Sequence, residues 1–295
     1  MTGVFSGVIT AMITPFKDGK VNFDTLAKLL DFQIEGGVDG VVILGTTGEP
    51  STMTQSEKEE TLRFCVNRAK GKIKIIAGVG SNDTSKAVAS AVTAEKLGAD
   101  GVLAVTPYYN KCTQRGIFEY YKSICEATAL PVIAYNVPSR TGVNITPETA
   151  EKLTSLKNLA GIKEASGNMA QVCETMRRVR GKTDIFSGED ALNLPISAIG
   201  GAGVISVLSN VAPKEVKEVY TLVKKGDLRG ANKLQDTLLP LIDALFCEVN
   251  PIPVKEACNM LGFDAGIPRP PLTELEEEHK VRLLNELKKA VKLNG

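Results

Sequence analysis

The run LAGIKE, residues 159–164, is too apolar and too rich in glycine and alanine to be an ordinary surface strand. Extended segments turn successive side chains to opposite faces, and here both faces are apolar up to the last two positions. Strands of that kind occur where a parallel sheet is covered by helices. The run ends in Lys163, a residue type that is seldom fully buried because stripping water from an ammonium group is costly. Lys163 therefore snorkels, pairs with a carboxylate, or stands where an amine is needed for chemistry.

Seven similar runs flank this one: GVITAMI (7–13), GVVILG (40–45), IKIIAGVG (73–80), GVLAVT (101–106), VIAYN (132–136), TDIFSG (183–188) and GVISVL (203–208). They recur at intervals of roughly 20 to 35 residues, about the size of one βα unit. Helix-period segments such as DTLAKLLDFQIEGG and TSKAVASAVTAEKLG lie between them, several ending in glycine as a helix C-cap would. Thr54 and Glu57 form a capping-box pattern, and Thr146–Pro147 gives an N-cap with proline at the first helical position. Eight units predict an α/β fold, a (β/α)8 TIM barrel, with a doubly wound sheet as the main rival. After about residue 212 the strand signal ends, and PKEVKEVYTLVKKGDLRGANKLQDTLLPLIDALF reads as helix. The expected division is a catalytic barrel over 1–224 and a C-terminal helical region over 225–295.

The chain has 295 residues and a net charge of +1, so no global basic field points to nucleic acid or to an acidic membrane. No basic and apolar leader opens the sequence and no run is long enough to span a membrane, so a cytoplasmic protein is expected. Its six cysteines are scattered without a C-x-x-C pair, as in a reducing compartment. With one histidine, His279, a zinc site is not expected, and mechanisms built on a Ser-His or Cys-His pair are excluded. Acid–base work must fall to Tyr, Lys, Asp, Glu or the substrate.

In a barrel the residues following each strand converge at one mouth. Those residues are Thr46, Thr47, Gly48 and Glu49 after the second strand, and Thr106, Pro107, Tyr108 and Tyr109 after the fourth. Tyr135 and Asn136 lead to Arg140 after the fifth; Lys163 ends the sixth, Ser187 and Gly188 the seventh, and Ile205 and Ser206 lie in the eighth. A lysine at an apolar strand end loses pKa to desolvation, keeps free amine near neutrality and can attack a carbonyl. The Schiff base formed is an electron sink, tyrosine can relay protons, and threonine hydroxyls and arginine can hold carboxylates. A structural lysine remains the alternative. Glu49 is read as a loop brace and Tyr120–Tyr121 as packing. One of Tyr108 and Tyr109 is free to reach a neighbouring subunit, because alternating faces prevent both from pointing inward. GVGSND (78–83) lacks the third glycine of a dinucleotide loop, and GGAG (200–203) lacks a P-loop lysine and serves a tight entry into the last strand.

GTTGE (45–49), TPYYNK (106–111), YNVPSRTG (135–142), GIKEASG (161–167) and FSGED (186–190) stand in order at these strand ends, followed by GAGVISV and NPIPVKEA. Together they resemble the 4-hydroxy-tetrahydrodipicolinate synthases (dihydrodipicolinate synthases) of the pyruvate-dependent class I aldolase superfamily, over nearly the whole chain. The resemblance implies a (β/α)8 barrel that condenses pyruvate with aspartate-4-semialdehyde in lysine biosynthesis, with no cofactor beyond the Schiff base. It implies that Lys163 is the Schiff-base lysine, and that Tyr135 transfers protons with Thr46 and with a Tyr109 supplied by the neighbouring subunit. Thr47 would hold the pyruvate carboxylate, Arg140 that of the semialdehyde, and Gly188 and Ile205 would make backbone contacts. A homotetramer built from tight dimers follows from the same likeness. Sister enzymes, N-acetylneuraminate lyase or 2-keto-3-deoxy sugar acid aldolases, share the pyruvate half, and Arg140 separates them from the synthases; a non-catalytic small-acid-binding barrel is the reading from another class. The lysine-inhibited members place two histidines and a glutamate where this chain has Gln55, Lys58 and Lys86. Lys86 would repel an effector ammonium, so weak or absent lysine inhibition is expected.

Overall fold

The computed structural model describes residues 2–291. Eight parallel strands close into a barrel: β1 (Gly7–Ala11), β2 (Gly40–Ile43), β3 (Lys74–Gly78), β4 (Gly101–Val105), β5 (Val132–Asn136), β6 (Leu159–Glu164), β7 (Asp184–Ser187) and β8 (Gly203–Ser206). Each pairs with its sequence neighbours and β8 closes on β1, with Gly203 opposite Gly7 and Ile205 opposite Ile9. All eight apolar runs are barrel strands, and the doubly wound alternative falls to the closure. A short antiparallel ribbon, Phe16–Lys17 with Lys20–Val21, precedes the first helix.

The helices around the sheet are α1 (Phe23–Glu35), α2 (Gln55–Ala69), α3 (Thr84–Lys96), α4 (Gln114–Ala127), α5 (Pro147–Leu153), α6 (Met169–Val179), α7 (Asn193–Ala198) and α8 (Pro213–Lys224). Thr54 caps α2 in a reciprocal box with Glu57, and Thr146 caps α5 through the Thr149 amide. Beyond the barrel run α9 (Leu228–Leu245), α10 (Ile252–Met260) and α11 (Glu277–Ala290). Leu238, Leu241, Leu245, Val254 and Leu283 from these helices are buried in the same apolar core as the strands. Among the described residues no helix is long and apolar enough to cross a membrane.

The two glycine-rich decoys are packing devices. A side chain at Gly80 would meet the Val105 nitrogen at 2.5 Å, and one at Gly203 would meet the Gly7 carbonyl oxygen at 2.2 Å. Asp83 caps α3 through the Ser85 amide. Tyr120 and Tyr121 are buried on α4, as packing residues should be. The Tyr121 hydroxyl donates to the Ala104 carbonyl (2.9 Å) and accepts from the Tyr135 amide (3.2 Å), tying β4 to β5.

Candidate active site

Tyr135 and Lys163 are register partners on β5 and β6, as are Asn136 and Glu164 one position on. Side chains alternate across a sheet, so the two pairs face opposite ways. Asn136 donates to the Glu164 carboxylate at 3.1 Å and to Asn144 at 2.9 Å, on the side where the helices pack. Tyr135 and Lys163 therefore face the barrel interior. Gly161, two residues before Lys163, leaves space for Phe186: a Cβ there would lie 2.6 Å from its ring. Phe186 is the β7 register partner of Lys163 and is fully buried.

In this apolar setting Lys163 is 5% exposed, with Nζ 4.2 Å from the centroid of the Tyr135 ring. Among the described residues it makes no ion pair and no side-chain hydrogen bond. Burial lowers its pKa from the ordinary 10.5 to about 8, against the opposing pull of the Asp190 carboxylate and with help from the Arg140 guanidinium. About a tenth of the amine is then free at pH 7, a far larger fraction than an exposed lysine offers. Tyr135 is pushed up to about 12, again by burial, while Arg140 draws it down. It is a neutral phenol at physiological pH and enters any proton transfer as a donor.

Gly188 follows β7 and donates its amide to the Glu164 carbonyl at 2.8 Å. A Cβ here would stand 2.8 Å from Lys163 Cε and 2.9 Å from Cγ, so only glycine leaves the lysine stem its place. Ile205 is buried in β8. Arg140 lies on the single helical turn Pro138–Thr141 after β5, with an exposed side chain and one guanidinium nitrogen donating to the Asn250 carbonyl at 3.0 Å.

Thr46 and Thr47 form the tight turn that follows β2, Thr46 half-buried and Thr47 buried. Thr47 Oγ1 accepts from Asn250 Nδ2 at 3.0 Å. The turn ends in Glu49, a non-glycine residue with φ of 55°. Such a conformation is unusual and is held here by tertiary bonds. The buried Glu49 carboxylate accepts from Lys255 Nζ at 2.7 Å and from the Arg269 amide at 2.8 Å. Lys255 has no exposed surface, and its ammonium lies 4.1 Å from the centroid of the Phe16 ring. Glu49 is thus the loop brace that the sequence suggests.

Tyr109 stands apart from this cluster. It is 90% exposed and adopts a left-handed φ of 71°. His279 bonds Glu248 at 2.7 Å and belongs to no part of the Lys163 cluster. The six cysteines are all free thiols.

Three contributors were missed in the sequence: Asn250, Lys255 and Asp190. The first two lie in NPIPVKEA and the third in FSGED. A lysine within the apolar IPVKEAC is a usable signal, because the cost of burying an ammonium applies to Lys255 as it does to Lys163.

Fold and site define an α/β barrel with a buried, unpaired amine at the mouth of its strands, equipped to condense carbonyl compounds through a lysine adduct. The chain belongs to the dihydrodipicolinate synthetase family, whose model matches residues 4–290. It is 50% identical over 286 residues to the 4-hydroxy-tetrahydrodipicolinate synthase of Alkaliphilus oremlandii, covering 97% of this chain and 99% of that protein. The crystal structure of dihydrodipicolinate synthase from Thermotoga maritima superposes with a TM-score of 0.96 at 43% identity, covering 98% and 99% of the two chains. A monomeric dihydrodipicolinate synthase variant superposes equally well, at 0.96 and 43% identity over 98% of each chain.

Proposed function

We propose that this protein is a 4-hydroxy-tetrahydrodipicolinate synthase, a lyase that condenses pyruvate with L-aspartate-4-semialdehyde in the diaminopimelate route to lysine. The observation that carries the reading is the buried Lys163 amine, lowered to about 8 and facing Tyr135, in a chain half identical to a protein of that name.

The free amine of Lys163 adds to the pyruvate ketone, and loss of water gives the Schiff base. A methyl proton leaves, the electron pair is drawn toward the iminium nitrogen, and the resulting enamine carbon attacks the aldehyde of the second substrate. The amino group of that substrate then adds to the imine carbon, closing the ring and releasing Lys163. Tyr135 supplies and recovers protons, with Thr46 beside it. Thr47 holds the pyruvate carboxylate, Arg140 that of the semialdehyde, and the backbones of Gly188 and Ile205 line the site. No cofactor is needed, because the iminium is itself the electron sink.

The exposure and left-handed backbone of Tyr109 support its entry into the site of a second protomer and hence an active unit of at least two chains; the homotetramer rests on the resemblance to the family alone. The barrel through Lys224 carries the reacting groups, and the helical region that follows carries their braces. We place the enzyme in the cytoplasm. The deciding assay follows consumption of the two substrates, coupled to the next reductase, for wild type beside Lys163→Ala. Turnover confined to the wild type supports the reading. Pyruvate trapping without turnover of the semialdehyde would reassign the enzyme to the sugar-acid aldolases.

A further inference from the structure

Asn250 touches both groups assigned to carboxylate binding. Its side-chain Nδ2 donates to Thr47 Oγ1 at 3.0 Å, and its main-chain carbonyl accepts from Arg140 Nη2 at 3.0 Å. Asn250 is 6% exposed and Thr47 3%. A hydroxyl that accepts from an amide directs its own hydrogen elsewhere. Among the described residues the Thr47 hydroxyl donates to no group, and Arg140 makes no ion pair. The Thr47 hydrogen and the remaining Arg140 N–H groups are left free for a ligand.

The orientation of the amide is fixed by what each choice would leave unpaired. Asn250 Oδ1 is buried and accepts no hydrogen bond among the described residues. Turning the amide over would satisfy Oδ1 with the Thr47 hydroxyl but strand a buried NH2 group, and unpaired N–H groups are the rarer and costlier defect. Lys255 bonds Glu49 five residues further on, so the segment is pinned to the turn that carries Thr47.

We propose that Asn250 is a positioning residue that makes Thr47 an obligate donor to the pyruvate carboxylate while setting the place of Arg140 for the second carboxylate. The two binders act as one matched pair through a single residue of the C-terminal region. The inference rests on the function proposed above.

The test compares wild type with Asn250→Ala and Asn250→Asp. Its readouts are kcat and KM for each substrate, pyruvate-dependent borohydride trapping, and thermal melting. Asn250→Ala should raise KM for pyruvate about tenfold and spare kcat at saturation. Asn250→Asp should raise it about a hundredfold, since an aspartate accepts the Thr47 hydrogen and adds an anion beside the substrate carboxylates. That order, with melting points of the two variants within a few degrees, supports the proposal. Pyruvate binding by Asn250→Asp equal to or tighter than by Asn250→Ala would overturn it, as would unchanged KM values in both variants. Wild type that traps no pyruvate would instead overturn the function itself, and the inference with it. Wild type that traps pyruvate but does not turn over the semialdehyde leaves the order of pyruvate affinities as the deciding readout.

Discussion

Replacing Lys255 by methionine should show how far the active site depends on the C-terminal helices. The substitution keeps the volume of the stem but leaves the Glu49 carboxylate, 3% exposed, with the Arg269 amide as its remaining hydrogen-bond partner. Removing one partner of a buried ion pair costs about 3–5 kcal/mol, because the surviving charge has lost both water and counter-ion. With an unfolding entropy of about 2 cal/mol/K per residue, a chain of this length should lose about 5–8 °C in Tm. The turn bearing Thr46 and Thr47 ends at Glu49, so KM for pyruvate should rise as well. Urea denaturation at fixed protein concentration measures the first effect and the coupled assay the second. Adding Glu49→Gln to Lys255→Met should restore most of the stability, since a buried pair replaced as a whole is often close to neutral. A single substitution costing under about 1 kcal/mol, or a double variant no more stable than the single, would refute the assignment of this pair as the brace.

Formation of the pyruvate adduct should rise with pH to a plateau above about 8, the value to which burial brings Lys163, and a limb near 10 would contradict the site geometry. Between that value and the ordinary 10.5 the unfolded chain binds a proton at this position that the folded chain does not, so this residue makes stability increase with pH across the window. Gly188→Ala should abolish adduct formation while the protein still folds, because its Cβ would stand 2.8 Å from Lys163 Cε and push the lysine stem out of place; normal trapping would contradict that. L-lysine should leave turnover unchanged at millimolar concentration, given Gln55, the half-buried Lys58 and the exposed Lys86; micromolar binding by isothermal titration would refute this.

The barrel was legible because parallel strands packed on both faces read as unbroken apolar runs, and GVLAVT or VIAYN admits few other interpretations. The lysine at 163 was legible for a related reason: it is out of place in an apolar strand unless a partner or a reaction needs it, whereas the ring of Phe186 that Gly161 accommodates shows only in the folded chain. The contribution of the helical region was not legible. Asn250 and Thr47 are 203 positions apart, and no periodicity in either segment encodes their hydrogen bond. The two buried lysines make the same point. Both sit among apolar neighbours, yet Lys255 finds a carboxylate at 2.7 Å while among the described residues Lys163 finds none. That difference, between a brace and a nucleophile, exists only in the folded chain.

The most direct test of the account is mass spectrometry after borohydride reduction in the presence of pyruvate. One reduced pyruvate adduct per chain, mapping to Lys163 and absent from Lys163→Ala, is the predicted result. An unmodified wild-type protein, or an adduct on any other lysine, would contradict it.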